Sequence, residues 1–340
     1  MTDHATTGHP SAPLPVPRRI PTPPHPTERT RALPGQHAKS AQEDPAAPAA
    51  VQAILRSPSY LEADRDVAFL DRNDTRGPRL QLDYLKAELL MEGHGVAHTI
   101  VVFGSTRLLE PAAAARAVEA AEAALAARPE DTALRARLAI ARRILDKSKY
   151  YDIARAFGSI AGVAGANARG GRIMVMTGGG PGIMEAANRG AHDRASKSIG
   201  LNITLPHEQY PNPYVTPELC FQFHYFAIRK LHFLNRARAL VVFPGGYGTL
   251  DELFEVLTLV QTRKIAPLPV ILVGEAYWRR VFDPDFLVAE GTIDPEDREL
   301  FWFAETAEDI WHDILRWYEA AGAPLLPPGD AAAPNPEACP

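Results

Sequence analysis

Between residues 99 and 320, short apolar runs rich in β-branched residues alternate with stretches of helix formers. That alternation restricts the fold more than any other property of the chain. Runs at 99–103, 172–176, 199–205, 219–223, 239–243 and 269–273 read as strands. Stretches at 182–195, 225–237, 249–262, 275–289 and 306–320 read as helices. Strands that are apolar along their whole length are buried on both faces. Parallel neighbours need a crossover, and a helix between each pair supplies it. The expected class is therefore α/β: a Rossmann-like, doubly wound parallel sheet with helices on both faces.

Residues 111–169 break the rhythm. Nearly all are helix formers, with a break at Pro129 and a long helix expected from Thr132. One crossover helix needs far fewer residues, so an inserted helical hairpin is expected over about 108–150. Residues 80–92 form an amphipathic helix ended by Gly93 and Gly95, within a helical N-terminal addition over 56–98. The Pro/Ala-rich segment 1–55 and the tail 323–340 show no sustained apolar period. Such segments bury too little surface to offset their ordering entropy, so disorder is expected there. The Rossmann-like domain is left to span 99–322.

Composition adds exclusions. The chain has 340 residues, 46% of them apolar, which is ample for a large core. A net charge of −5 gives no general pull toward nucleic acid or an anionic membrane. No apolar run approaches the roughly 18 residues that span a bilayer. Arg18 and Arg19 are followed by Pro21, Pro23, Pro24 and Pro26, where a signal peptide needs an apolar stretch. A cytoplasmic protein is expected. The two cysteines, Cys220 in a strand and Cys339 in the tail, make neither a metal set nor an expected disulfide.

Two glycine-rich turns each follow a strand and open a helix. The first is Thr177-Gly178-Gly179-Gly180-Pro181-Gly182-Ile183-Met184-Glu185. Glycines let the backbone approach an anion, and free N–H groups at a helix start point at it. Pro181 suits the first helical position. A tight turn alone would explain some of these glycines, but four in five residues exceeds that need. The second turn is Phe243-Pro244-Gly245-Gly246-Tyr247-Gly248-Thr249-Leu250-Asp251-Glu252. Neither is a P-loop, and neither has the dinucleotide glycine spacing. A single phosphate, held in the crevice at the carboxyl ends of the strands, fits best.

The segments 179–185 and 244–252 resemble the paired signatures of the Lonely Guy (LOG) family, with similarity over roughly 96–320. Members are phosphoribohydrolases of cytokinin riboside 5′-monophosphates, and relatives cleave AMP to base and ribose 5-phosphate. The resemblance implies this fold, nucleotide hydrolysis, no metal or redox cofactor, and a homodimer or larger. It places Phe223-His224-Tyr225-Phe226-Ala227-Ile228-Arg229-Lys230 at the family's Arg-Lys helix. It assigns catalysis to Arg229 and Glu252. Substrate and phosphate binding fall to Gly104, Ser105, Gly178, Gly179, Gly180, Gly182, Met184, Glu185, Lys230, Pro244, Gly245, Gly246, Gly248 and Thr249. This chain is longer than the small plant members, and its stretch 205–220, with His207, Glu208, Gln209, Tyr210 and Asn212, is distinctive. The family is often labelled lysine decarboxylase. That chemistry needs a Schiff-base lysine, and neither turn carries a lysine placed for it.

Each candidate has a plainer reading beside it. A carboxylate can stabilise the ribosyl cation of glycoside cleavage or activate water, which suits Glu252. Thr249-Leu250-Asp251-Glu252 is equally a capping box, with Glu252 reaching back to the helix start. Arg229 could clamp a phosphate. If Ile228, Leu231 and Leu234 make the apolar face, it is instead an exposed helical arginine. Ser105 and Thr106 could touch a ligand or merely follow a strand. His224 and His232 read as structural, Asp251 and Glu255 as helix charges or ribose contacts, and Met174, Met176 and Met184 as core.

Overall fold

The computed structural model describes residues 21–33, 35–167, 172–206 and 210–326. The expectation of disorder over 1–55 and 323–340 falls in part on residues 1–20 and 327–340, outside the described residues, where Cys339 and the distinctive His207, Glu208 and Gln209 also lie. The chain divides into two compact units, Met1–Arg72 and Asn73–Pro340. The first carries α1 (Ala47–Leu55), inside the segment expected to be disordered, and α2 (Val67–Leu70). Asp66 caps α2 by accepting from the Phe69 N–H at 2.9 Å.

The second unit opens with α3 (Arg76–Gly93) and β1 (Val96–Phe103). Three helices follow: α4 (Pro111–Ala127), α5 (Thr132–Lys147) and α6 (Lys149–Asn167). Then come β2 (Arg172–Thr177), α7 (Ile183–His192), β3 (Ser198–Ile203), β4 (Cys220–Phe223) and α8 (Phe226–Asn235). The chain continues through β5 (Ala237–Val242), α9 (Tyr247–Gln261), β6 (Val270–Val273), α10 (Glu275–Trp278) and α11 (Pro284–Ala289). It ends with β7 (Trp302–Ala304) and α12 (Ala307–Ala320).

The seven strands form one sheet in the order β4-β3-β2-β1-β5-β6-β7, every pair parallel. From β1 the chain builds outward to β4 on one side, then returns to build from β5 on the other. Its order therefore reverses at β1 and β5, which is where open α/β sheets form a crevice. Both sheet faces are buried, as the uniformly apolar strands require. Ile100, Val102, Val175, Val241 and Ile271 pack with residues of α6, α7 and α12. Their neighbours Val101, Phe103, Met176, Leu240 and Leu272 pack on the other face with α3, α8 and α9.

Besides α1, the structure departs from the sequence expectations in four places. The long helix from Thr132 is two helices, broken at Ser148. The helix expected over 275–289 is also two, because Asp283, before Pro284, leaves the helical region and caps α11. Strand β7, three residues long, has no counterpart in the expected set. Leu326, in the tail expected to be disordered, is buried in the core beside α12.

Candidate active site

Four strands deliver backbone to one place at the carboxyl edge of the sheet. Strand β1 runs into Gly104, β2 into Gly178, β3 ends beside Asn202, and β5 leads into the turn that opens α9. A cavity of about 590 Å³ lies over these ends. Of the residues expected to form a site, Gly104, Ser105, Gly178, Met184, Arg229, Gly246, Gly248, Thr249 and Glu252 line it. Gly179, Gly180, Gly182, Glu185, Lys230, Pro244 and Gly245 do not. Met184, also read as core, is only partly buried, whereas Met174 and Met176 are core residues.

The two glycine turns differ in kind. In the first, Gly179 and Gly182 are required by a positive φ and by neighbouring protein, and Gly178 packs closely under two side chains. A Cβ on Gly178 would come within 2.6 Å of the Arg229 guanidinium, and one on Gly179 would strike the Asn202 amide. Gly182 has φ +75, and its Cβ would strike the Ser105 carbonyl. Two of the turn's N–H groups are already used. Gly179 donates to Thr177 Oγ1 at 2.9 Å, and Ile183 donates to the Ser105 carbonyl at 3.2 Å. Glu185 turns away from the cavity and accepts from the Tyr151 hydroxyl at 2.8 Å. This turn is packed against β1, β3 and α8, and through Gly178 and Met184 it lines the cavity.

In the second turn, Gly245 is required because a Cβ there would strike the Thr249 side chain. Gly246 and Gly248 are not. A Cβ on either would meet nothing within 4 Å, and neither has a positive φ. Both line the cavity at the start of α9, where no side chain caps the helix. Open space at two glycines beside uncapped N–H groups is suited to an anion approaching the backbone.

Glu252 does not form the capping box that its sequence suggests. Helix α9 begins at Tyr247 with Gly246 as its cap, which puts Thr249 and Glu252 inside the helix. Glu252 is buried, at 6% exposure, and lines the cavity. Burial pushes its carboxyl up to about 7, against the pull of Lys230 and Arg229. A group ionising near 7 is matched to proton transfer at neutral pH.

Arg229 is not an exposed helical arginine. Its Nε donates to the Leu201 carbonyl at 2.7 Å, and its guanidinium lies 5.1 Å from the Phe233 ring centre. Burial holds it below the usual arginine value, with the Glu252 charge acting against that shift. The inward residues of α8 are His232 and Phe233, whereas Leu231 is half exposed. Lys230 stands behind the cavity wall. Its Nζ lies 2.8 Å from Asp251, 2.9 Å from Glu255 and 3.9 Å from Glu252. Burial works against its charge, yet the bonds to Asp251 and Glu255 keep it above its ordinary value. Asp251 and Glu255 thus serve as partners of Lys230.

Arg107, Asn202, Ile203, Leu205, Phe226 and Tyr247 also line the cavity and were not among the expected site residues. Asn202 carried a readable signal, a polar residue at the end of an otherwise apolar strand. Tyr247, 93% exposed inside the second turn, carried another. His232 is buried, its Nε2 3.1 Å from the Tyr84 carbonyl, in keeping with a structural part.

A family model described as "Possible lysine decarboxylase" matches residues 184–314. The cytokinin riboside 5′-monophosphate phosphoribohydrolase LOG3 of Arabidopsis thaliana is 31% identical over 141 residues, which cover 40% of this chain and 64% of that protein. The phosphoribohydrolase of the same description named LOG, from Oryza sativa subsp. japonica, is 31% identical over 144 residues, covering 40% and 57%. The model match takes in Arg229, Glu252 and the whole second turn. This chain is similar to the phosphoribohydrolases of the LOG family. It spans 57–64% of the length of these two plant relatives. The Moco carrier protein of Chlamydomonas reinhardtii is a looser structural likeness, at 17% identity and a TM-score of 0.38 over 66% of this chain and 98% of that one.

The decarboxylase wording implies pyridoxal phosphate, and the cavity does not fit it. A Schiff-base lysine must lose its proton to attack an aldehyde. The nearest lysine, Lys230, is held protonated by two carboxylates and lies outside the cavity lining. Among the described residues, no group of three or more His, Cys, Asp or Glu side chains could hold a metal. No helix among them is long and apolar enough to cross a membrane.

Proposed function

We propose that this chain is a member of the LOG family and hydrolyses the N-glycosidic bond of nucleoside 5′-monophosphates, AMP-like or cytokinin riboside 5′-monophosphates, to free base and ribose 5-phosphate. The observation that carries the reading is the placement of Glu252. It lies one turn inside α9, buried, ionising near 7, on the wall of a cavity whose rim is the uncapped start of the same helix.

The roles follow from this geometry. The 5′-phosphate lies against the N–H groups of Gly246, Tyr247, Gly248 and Thr249, whose helix dipole favours an anion. That places the ribose one turn along α9, beside Glu252. As the C1′–N bond breaks, its electron pair leaves with the base and positive charge gathers on the ribose. The Glu252 carboxylate stabilises that charge and takes a proton from the water whose oxygen adds to C1′. The proton ends on the departing base. Arg229, fixed by the Leu201 carbonyl and Phe233, orients the sugar phosphate from the facing wall. Lys230 stands 3.9 Å from Glu252 and supports its ionised form. By the same resemblance we propose a cytoplasmic homodimer or larger assembly.

A binding protein without turnover would use the same anion site and leave Glu252 as a helix cap. The absence of that cap removes its main support. The test is Glu252→Gln, which keeps the shape and removes the charge. AMP hydrolysis should fall about 100-fold or more, while AMP binding, measured calorimetrically, stays within a few-fold of wild type. Hydrolysis at the wild-type rate in the folded variant overturns the assignment.

A further inference from the structure

Helix α8, which carries Arg229 and Lys230, has no cap of its own. Its N-cap residue, Tyr225, makes no side-chain bond to the helix start. A side chain from far away instead holds the N–H groups of the N-cap residue and of the residue before it. Asp83, on α3, accepts from the His224 N–H through Oδ1 at 3.1 Å and from the Tyr225 N–H through Oδ2 at 2.9 Å. Such charge-assisted bonds are stronger than neutral ones, and the carboxylate also sits at the positive end of the α8 dipole.

The same helix grips α8 elsewhere. Arg79 donates to the Tyr225 hydroxyl at 3.1 Å. His232 Nε2 lies 3.1 Å from the Tyr84 carbonyl, and the Tyr84 and His232 rings stack at 4.8 Å. At the far end Glu88 holds Arg236, the C-cap of α8, through two bonds of 2.6 and 2.7 Å. Arg236 in turn donates to the Val96 carbonyl, at the start of β1. Helix α8 is thus tied at both ends to α3, with Arg229 between the ties.

We propose that α3 is a splint for the active-site helix and that Asp83 is a positioning residue, setting where the Arg229 guanidinium meets the substrate. Helix α3 lies outside residues 184–314, so the hold on the start of α8 comes from a segment beyond the family match. The proposal rests on the nucleotide-hydrolase reading. It also separates two kinetic constants. The phosphate is held on α9, so loosening α8 moves Arg229 without dismantling the anion site. The loss should therefore appear in kcat more than in KM.

The experiment compares wild type, Asp83→Ala and Asp83→Asn in the full chain. AMP turnover and melting temperature are measured, with amide hydrogen exchange over 224–235. Asp83→Ala should lower kcat about tenfold or more, with KM changed less than about threefold. Asp83→Asn, which keeps an accepting oxygen, should recover most of kcat. Exchange in the first turn of α8 should rise at least about tenfold in the alanine variant, with α9 unchanged. A folded Asp83→Ala protein with kcat within twofold of wild type overturns the proposal. If wild type does not cleave AMP at all, the hydrolase reading falls separately. The exchange data then decide: unchanged protection of α8 in Asp83→Ala overturns the splint, and its selective loss supports it.

Discussion

A glutamate placed where water is scarce costs stability in proportion to how hard it is to ionise. Glu252 ionises at about 7 in the folded chain against 4.5 for an ordinary glutamate. Below 4.5 both folded and unfolded chains carry the proton, and the contribution of Glu252 to stability is fully present. Between 4.5 and 7 the unfolded chain binds fewer protons than the folded one, so stability falls as pH rises. Above 7 the accumulated loss is about 3 kcal/mol, from the size of the step. Glu252→Gln removes this loss. Its melting temperature should exceed that of wild type by several degrees at pH 8 and match it near pH 4, in calorimetric scans across that range. A cap residue would give the opposite sign. The same ionisation shapes the rate: kcat should climb as pH rises through about 7, because the carboxylate is the working form. The glycines give a paired contrast. Gly248→Ala meets open space, so it should keep its melting temperature and raise KM for AMP about tenfold by blocking the anion. Gly182→Ala, with φ +75 and the Ser105 carbonyl in its way, should lose stability by roughly 1–3 kcal/mol.

At the scale of elements, the tail of the chain offers a sharp boundary. Leu326 is 5% exposed and packs into the cluster formed with α12, and Leu325 leans on the same cluster. Truncation after residue 326 should leave the melting temperature unchanged. Truncation after residue 323 should cost roughly 2–3 kcal/mol, the scale of burying one leucine side chain, read from denaturant titrations of the two forms. The hairpin of α4 and α5 was legible because Pro129 interrupts an unbroken run of helix formers. The six principal strands were legible because each is a short, predominantly apolar run, the pattern of a sheet buried on both faces. Strand β7 has three residues, too few for any periodic signal. The site was legible only in part. Glycine-rich turns at strand ends announce themselves. Which glycines face a ligand depends on Ser105, Asn202 and Arg229, brought alongside by the fold. Asp83 lies 141 positions from the N–H it holds, and nothing local to either segment reveals the pairing.

Taken whole, the second unit puts its chemistry where the strand order reverses, with the turn after β5 beside the end of β1. Ser105 donates its N–H to the Pro244 carbonyl at 3.0 Å, and Phe243 donates to that of Phe103 at 2.8 Å. The proposed anion site and the wall that carries Glu252 are therefore joined along one edge, and in the proposed reaction the phosphate is the handle by which the ribose reaches Glu252. That dependence is the central claim. It is tested by incubating the full chain with AMP and with adenosine and quantifying free adenine and the sugar product. AMP should give adenine and ribose 5-phosphate in equal amounts, with kcat/KM about 100-fold or more above that for adenosine. Equal cleavage of adenosine, or no adenine from AMP at all, would contradict it.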